Sequence, residues 1–127
     1  MRGLAAIAGS WLLLCDLALA QATFGTITGR VIDTSGATVP RAEIKVVNQA
    51  TNISRTVSSD AFGNYEATHL NPGLYTVIAE APGFKRVVHR EIRLEALASV
   101  RIDIRLEVGE VAAEVTVVGG APVIETE

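Results

Sequence analysis

The chain has 127 residues, 49% of them hydrophobic but only 5% aromatic, with a formal net charge of −3. That length holds one domain of ordinary size rather than two. Opposite charges are interspersed, as in Arg101-Ile102-Asp103-Ile104-Arg105, and the absence of a basic stripe excludes the electrostatic footprint of a nucleic-acid binder.

The first predicted element is a leader. Met1-Arg2 is a short positive start, Leu4 to Leu14 is almost wholly apolar, and Ala18-Leu19-Ala20 is a small-x-small cleavage pattern. Residues 1–20 therefore read as a secretory signal peptide cut before Gln21. A membrane anchor fits less well, because the apolar run is short and Asp16 interrupts it. Cys15 raises the alternative of a lipoprotein signal, against which stands the bulky Leu14 before it. Cleavage would remove the only Cys and the only Trp (Trp11) and leave the charge at −3. The mature chain would then rely on sheet packing with no disulfide, in a compartment that permits one.

The mature chain alternates with period two, which puts one face of each strand in a core and the other in water. Ile27, Gly29 and Val31 share the inner face of a strand over Gly25 to Asp33, followed by the turn Thr34-Ser35-Gly36. Ala42, Ile44 and Val46 face inward in the next strand, and Asn48 to Asn52 makes a hairpin into Ile53–Ser58. From Ser59 to Phe84, three turn signals bracket two strands: Asp60-Ala61-Phe62-Gly63-Asn64, Asn71-Pro72-Gly73 and Ala81-Pro82-Gly83. Tyr65 and Ala67 point into the core from the first of these strands, Tyr75, Val77 and Ala79 from the second. Phe84 to Leu94 reads as an edge strand with an irregularity near His89 or Arg90, and Val100, Ile102, Ile104 and Leu106 as the seventh strand. No window outside the leader has helical spacing. The expected fold class is all-β, an antiparallel sandwich.

From Gly109 the character changes. Glu110 to Val118 is strand-prone, Gly119-Gly120-Ala121-Pro122 breaks it, and Val123 to Glu127 follows. An apolar extended segment is a liability unless something pairs with it. Residues 1–20, 21–108 and 109–127 are thus read as leader, sandwich and extended tail.

These spacings carry a resemblance. Gly25-x-Ile27-x-Gly29-x-Val31-x-Asp33, Gly36-Ala37-x-Val39-Pro40-x-Ala42, Ser59-Asp60-x-x-Gly63-x-Tyr65, Leu70-x-Pro72-Gly73-x-Tyr75 and Ala81-x-Gly83-Phe84 resemble the carboxypeptidase regulatory-like domain, from about Gly25 to Glu107. The resemblance implies a seven-stranded, transthyretin-like or Ig-like sandwich. Together with the leader and the tail, it resembles the N-terminal extension of Oar-like TonB-dependent receptors. In those, such a tail leads into a plug domain and an outer-membrane barrel. The barrel needs many strands of about ten residues, which this chain lacks, so transport by this chain alone is excluded.

Functional residues are few. Val115, Thr116, Val117 and Val118 resemble the valine-rich energy-coupling segment that such receptors present to a TonB-like periplasmic protein. That mode requires an extended, β-prone run that can add to a sheet edge. The same residues also read as a last strand or as a linker to a plug domain. His69 and His89 are twenty residues apart, have no metal-ligand pattern, and read as solvent-facing strand-end residues. Ser58-Ser59 lack a nucleophile elbow or a nearby His, and Asp33, Glu43, Asp60 and Glu66 are scattered carboxylates, Asp60 suited to bonding backbone in its own turn. No catalytic, metal or cofactor-binding residue is therefore expected.

The reading that results is a non-catalytic module on the periplasmic face of the outer membrane, secreted across the inner membrane. It would serve protein interaction or gating for a receptor plug and barrel. The alternative is a secreted carbohydrate- or protein-binding accessory sandwich. A glycan site would need exposed aromatic faces, and Phe62 and Phe84 are the residues expected near turn surfaces.

Overall fold

The computed structural model describes residues 23–110 and 113–118. The leader with Trp11 and Cys15, the Gly119–Pro122 break and the terminal Val123–Glu127 lie outside the described residues. Nine strands are present among those described: β1 (Gly25–Asp33), β2 (Glu43–Asn48), β3 (Ser54–Ser58), β4 (Asn64–Leu70), β5 (Gly73–Glu80), β6 (Arg86–Leu94), β7 (Ser99–Arg101), β8 (Ile104–Leu106) and β9 (Glu114–Val118). One sheet has β1 at its centre, with β4 on one side and β7 and β8 in succession on the other. The second runs β3-β2-β5-β6-β9. The two sheets form a β-sandwich.

The inner faces follow the period-two pattern. Ile27, Val31 and Ile104 from the first sheet meet Ile44, Val77 and Ile92 from the second, all buried in one core. Tyr65 and Tyr75 are buried as the alternation requires. A one-residue slip of any of these strands would turn its apolar set to solvent, so the register is strongly specified.

Two expectations are corrected. The sandwich has nine strands rather than seven, because the Val100–Leu106 run divides into β7 and β8 and because β9 joins the second sheet. It is also not wholly antiparallel: β1 pairs in parallel with β7 and β8, and β6 with β9. The division has a local cause. Ile102 donates its N–H to the Thr28 carbonyl at 2.7 Å, but its own carbonyl turns inward and accepts the Tyr65 hydroxyl at 2.5 Å. The Arg30 N–H is met instead by the Asp103 carboxylate, Oδ1, at 3.0 Å. A side chain thus replaces a ladder carbonyl at the point where the strand is interrupted.

The irregularity expected near His89 is a bulge. Tyr75 faces Ile92 while Val77 faces His89, so β6 carries one extra residue there. Glu91 takes a positive φ of 59°. Its N–H donates to Gln49 Oε1 at 3.1 Å, so the β2–β3 turn supplies the acceptor. β6 itself is not an edge strand, since β9 lies along it.

Candidate functional site

The residues expected to carry coupling, Val115 to Val118, form most of β9. They lie in parallel register against β6: Glu114 opposite Arg86, Val115 opposite Val87, Thr116 opposite Val88, Val117 opposite His89 and Val118 opposite Arg90. The chain reaches this position from β8 through a short antiparallel contact. Val108 bridges Phe84, Lys85 N–H donates to the Glu107 carbonyl at 2.7 Å, and Gly109 N–H donates to the Gly83 carbonyl at 3.1 Å. Arg86 N–H then donates to the Ala113 carbonyl at 2.9 Å and starts the ladder.

β9 is lightly held. Val115 is half-buried and packs against the core, whereas Val117 is 38% and Val118 69% exposed. Its first residue joins a charge cluster at which Arg86 Nε lies 3.2 Å from Glu80 Oε2 and 3.9 Å from Glu114 Oε2. These are ion pairs by distance only, since the Arg86 Nε–H donates no hydrogen bond. Partly exposed pairs of this kind contribute about 0–1 kcal/mol. β9 is the end strand of its sheet, so its outer backbone edge is unpaired among the described residues.

The histidines separate. His69 is the next-to-last residue of β4 and is exposed, its ring centroid 5.4 Å from that of Phe24 with the two planes tilted by 58°. His89 is not a solvent-facing strand end: it lies in the middle of β6, half-buried, with Val77 on one side and Val117 on the other. Its Nδ1 is buried without a hydrogen-bond partner, and burial lowers its pKa below the ordinary 6.5. The sequence hid this because His89 keeps the polar character of an outer-face residue while occupying an inner-face position.

The remaining polar residues hold loops. Ser59 is buried, donates its hydroxyl to the Val39 carbonyl at 2.7 Å and accepts the Ala42 N–H at 2.8 Å. Asp60 accepts the N–H groups of Phe62 and Asn64 in its own turn, at 2.8 and 2.9 Å. Asp33 does the same for Ser35 and Ala37, and the Ser35 hydroxyl is the main cause of its lowered pKa. A cleft of about 150 Å³ opens between the β2–β3 turn and the end of β4, lined in part by Asn48, Arg55, His69 and Tyr75. Its polar groups already serve the fold. Asn48 Oδ1 accepts the Ala50 and Thr51 N–H groups, Arg55 bonds the Thr68 carbonyl, and the Tyr75 hydroxyl bonds the Asn71 carbonyl. Among the described residues no three His, Cys, Asp or Glu side chains form a cluster fit for a metal ion.

The geometry agrees with what comparison with known proteins finds. The TonB-dependent transporter Oar of Myxococcus xanthus is 32% identical over 127 residues, 98% of this chain. This chain spans only 12% of that relative's length. Among solved structures, the Bacillus anthracis TIE protein matches 68% of this chain and 17% of its own, at 19% identity and a TM-score of 0.58. Hydroxyquinol 1,2-dioxygenase of Pseudomonas putida matches 72% of this chain and 58% of its own, at 12% identity and a TM-score of 0.56. At such identities these structures share the fold alone. The family model of the carboxypeptidase regulatory-like domain matches residues 26–107, the span from β1 to the end of β8. This chain belongs to the carboxypeptidase regulatory-like domain family.

Proposed function

We propose that the chain is the non-catalytic, periplasm-facing N-terminal module of a TonB-dependent outer-membrane receptor. Residues 1–20 would be a removed leader, the sandwich an interaction or gating module, and Val115–Val118 the segment offered to a TonB-like periplasmic protein. One observation carries the reading. The similarity to the transporter covers 98% of the chain, so it extends past the matched domain, residues 26–107, into both flanks. A sandwich shared only as a common scaffold would not bring its leader and tail with it.

The carbohydrate-binding alternative has less behind it. Among the described residues the exposed Phe rings are Phe24 (41%) and Phe62 (68%). Phe24 precedes the start of β1 beside His69, whereas Phe62 lies at the far end, where its carbonyl accepts Arg30 Nε–H. They share no platform on which a sugar could stack.

Two observations test the proposal. In a Gram-negative host, the chain recovered from the periplasm should begin at Gln21. The locus should encode a plug and barrel in frame downstream of codon 127. A stop codon with no barrel following, or a chain retained in the cytosol from Met1, would overturn it.

A further inference from the structure

We propose that the end of the sandwich where β1 begins is a docking surface for another protein, which inserts an apolar side chain flanked by an acidic one. This rests on the interaction role proposed above and gives it a location, whereas the receptor reading is tested by the coding sequence downstream.

Large apolar side chains left out of the core gather at that end. Ile53, in the β2–β3 turn, is 70% exposed, Leu97, between β6 and β7, is 75% exposed, and Phe24 stands exposed just before β1. Contacts join them into one strip across the end of the first sheet. The Leu97 N–H donates to the Thr23 carbonyl at 3.3 Å, the Phe24 ring lies 5.4 Å from that of His69, and His69 lines the same cleft as Ile53. Apolar residues scattered singly over a surface are ordinary, but grouped ones mark interaction sites.

Leu97 bears a second cost. Its φ is 60°, in the left-handed region where a Cβ crowds the backbone and where Gly or Asn sits with less strain. The leucine lies outside the core cluster, so the fold gains nothing from it in return. Strained residues of this kind concentrate at binding sites.

The cleft beside Ile53 defines the occupant. Small-molecule pockets run to about 300–1,000 Å³, whereas this one is about 150 Å³, room for one inserted side chain. Val46, Leu70 and Tyr75 give it apolar lining, Arg55 gives it a cation, and no carboxylate lines it. Arg55 Nη1 bonds the Thr68 carbonyl, and the guanidinium has no acidic partner among the described residues. Its remaining N–H donors are able to receive a carboxylate. An apolar anchor with an acidic neighbour satisfies both features. The net charge of −3 opposes an anionic lipid surface as the occupant.

The experiment is selection from a phage-displayed random peptide library on the chain recovered from a Gram-negative host. The enriched peptide is then synthesised and titrated against the isotope-labelled chain by NMR. Enriched sequences should place Asp or Glu next to a large apolar residue, and the shifted amides should centre on Phe24, Ile53, His69 and Leu97. Leu97→Asn should weaken the peptide at least about fivefold while leaving the denaturation midpoint unchanged or higher. Arg55→Gln should weaken it similarly, and replacing the peptide's acid by its amide should then cost that variant nothing more. The proposal is overturned by a selection that enriches nothing, by enriched peptides without an acid, or by shifts centred elsewhere. A lowered midpoint for Leu97→Asn would show that the leucine serves the fold and would overturn it too. Flotation with vesicles of phosphatidylethanolamine and phosphatidylglycerol should leave the chain unbound; binding that Leu97→Asn abolishes would assign this end to a membrane instead.

Discussion

The Tyr65 hydroxyl donates a 2.5 Å hydrogen bond to the carbonyl oxygen of Ile102, and the two residues lie 37 positions apart in the chain. This bond joins β4 to the β7–β8 junction across β1. Burial, with the nearby Asp103 carboxylate adding to it, raises the Tyr65 pKa far above its ordinary value, so the phenol stays a donor. Tyr65→Phe leaves the carbonyl without that donor in a buried place. The expected loss is about 1–3 kcal/mol in urea or guanidinium denaturation.

Gly29 makes room for the same carbonyl. A Cβ there would lie 1.8 Å from the Ile102 oxygen and 2.9 Å from the Tyr65 ring. Both obstacles are fixed, one by backbone and one by the core. Gly29→Ala is expected to cost about 3 kcal/mol or more, or to prevent folding, as circular dichroism melts will show.

Ser59→Ala removes the acceptor of the Ala42 N–H and the donor to Val39 in one change. The loop between β1 and β2 then keeps only its two backbone bonds to Ser59, Arg41 N–H to the Ser59 carbonyl and Ser59 N–H to the Ala42 carbonyl, both at 3.0 Å. The expected destabilisation is about 1–3 kcal/mol, with Ser59→Thr the milder variant.

The pH dependence has a defined sign. His89 has a pKa lowered by burial, so the unfolded chain binds its proton at a higher pH than the folded one. Stability is unaffected well above the ordinary 6.5 and declines as the pH falls below it. Denaturation midpoints should therefore drop between about pH 7.5 and about pH 5.5, and His89→Leu should flatten that slope. Asp33 acts in a separate window. Its lowered pKa supplies stability above the ordinary 3.8 that is lost as the pH falls through the folded value.

Ending the chain after Gly109 removes β9, of which Val115 alone packs against the core. The expected cost is about 1–2 kcal/mol, with cooperative unfolding retained. A truncated chain that does not fold would make β9 an integral strand and remove it from any coupling role.

Much of the fold is legible from residue order. Ile27 and Val31, Ile44 and Val46, and Tyr75 and Val77 are buried as their alternation requires. Asp60 and the glycine turns sit where their chemistry puts them, Gly63 at a φ of 83°. Residue order does not reveal the inward position of His89, because a lone polar residue on an apolar face breaks the alternation that marks that face. The bulge was visible as an irregularity, but the part of Gln49 in satisfying it was not, since Gln49 and Glu91 are 42 residues apart.

By itself, the sequence determined that this protein is a sandwich of short strands, which apolar side chains of the alternating strands enter its core, and which family its turn spacings belong to. Those properties follow from local rules, period two for strands and Gly or Pro for reversals. Tertiary structure alone decided that β1 pairs in parallel with β7 and β8, that Ile102 interrupts the last long strand, and that Val115–Val118 lies on β6. Alternation states which way a side chain points and is silent on which strand lies beside it. That neighbour is chosen by contacts between distant parts of the chain, and here it bears directly on whether the segment is free to meet a partner.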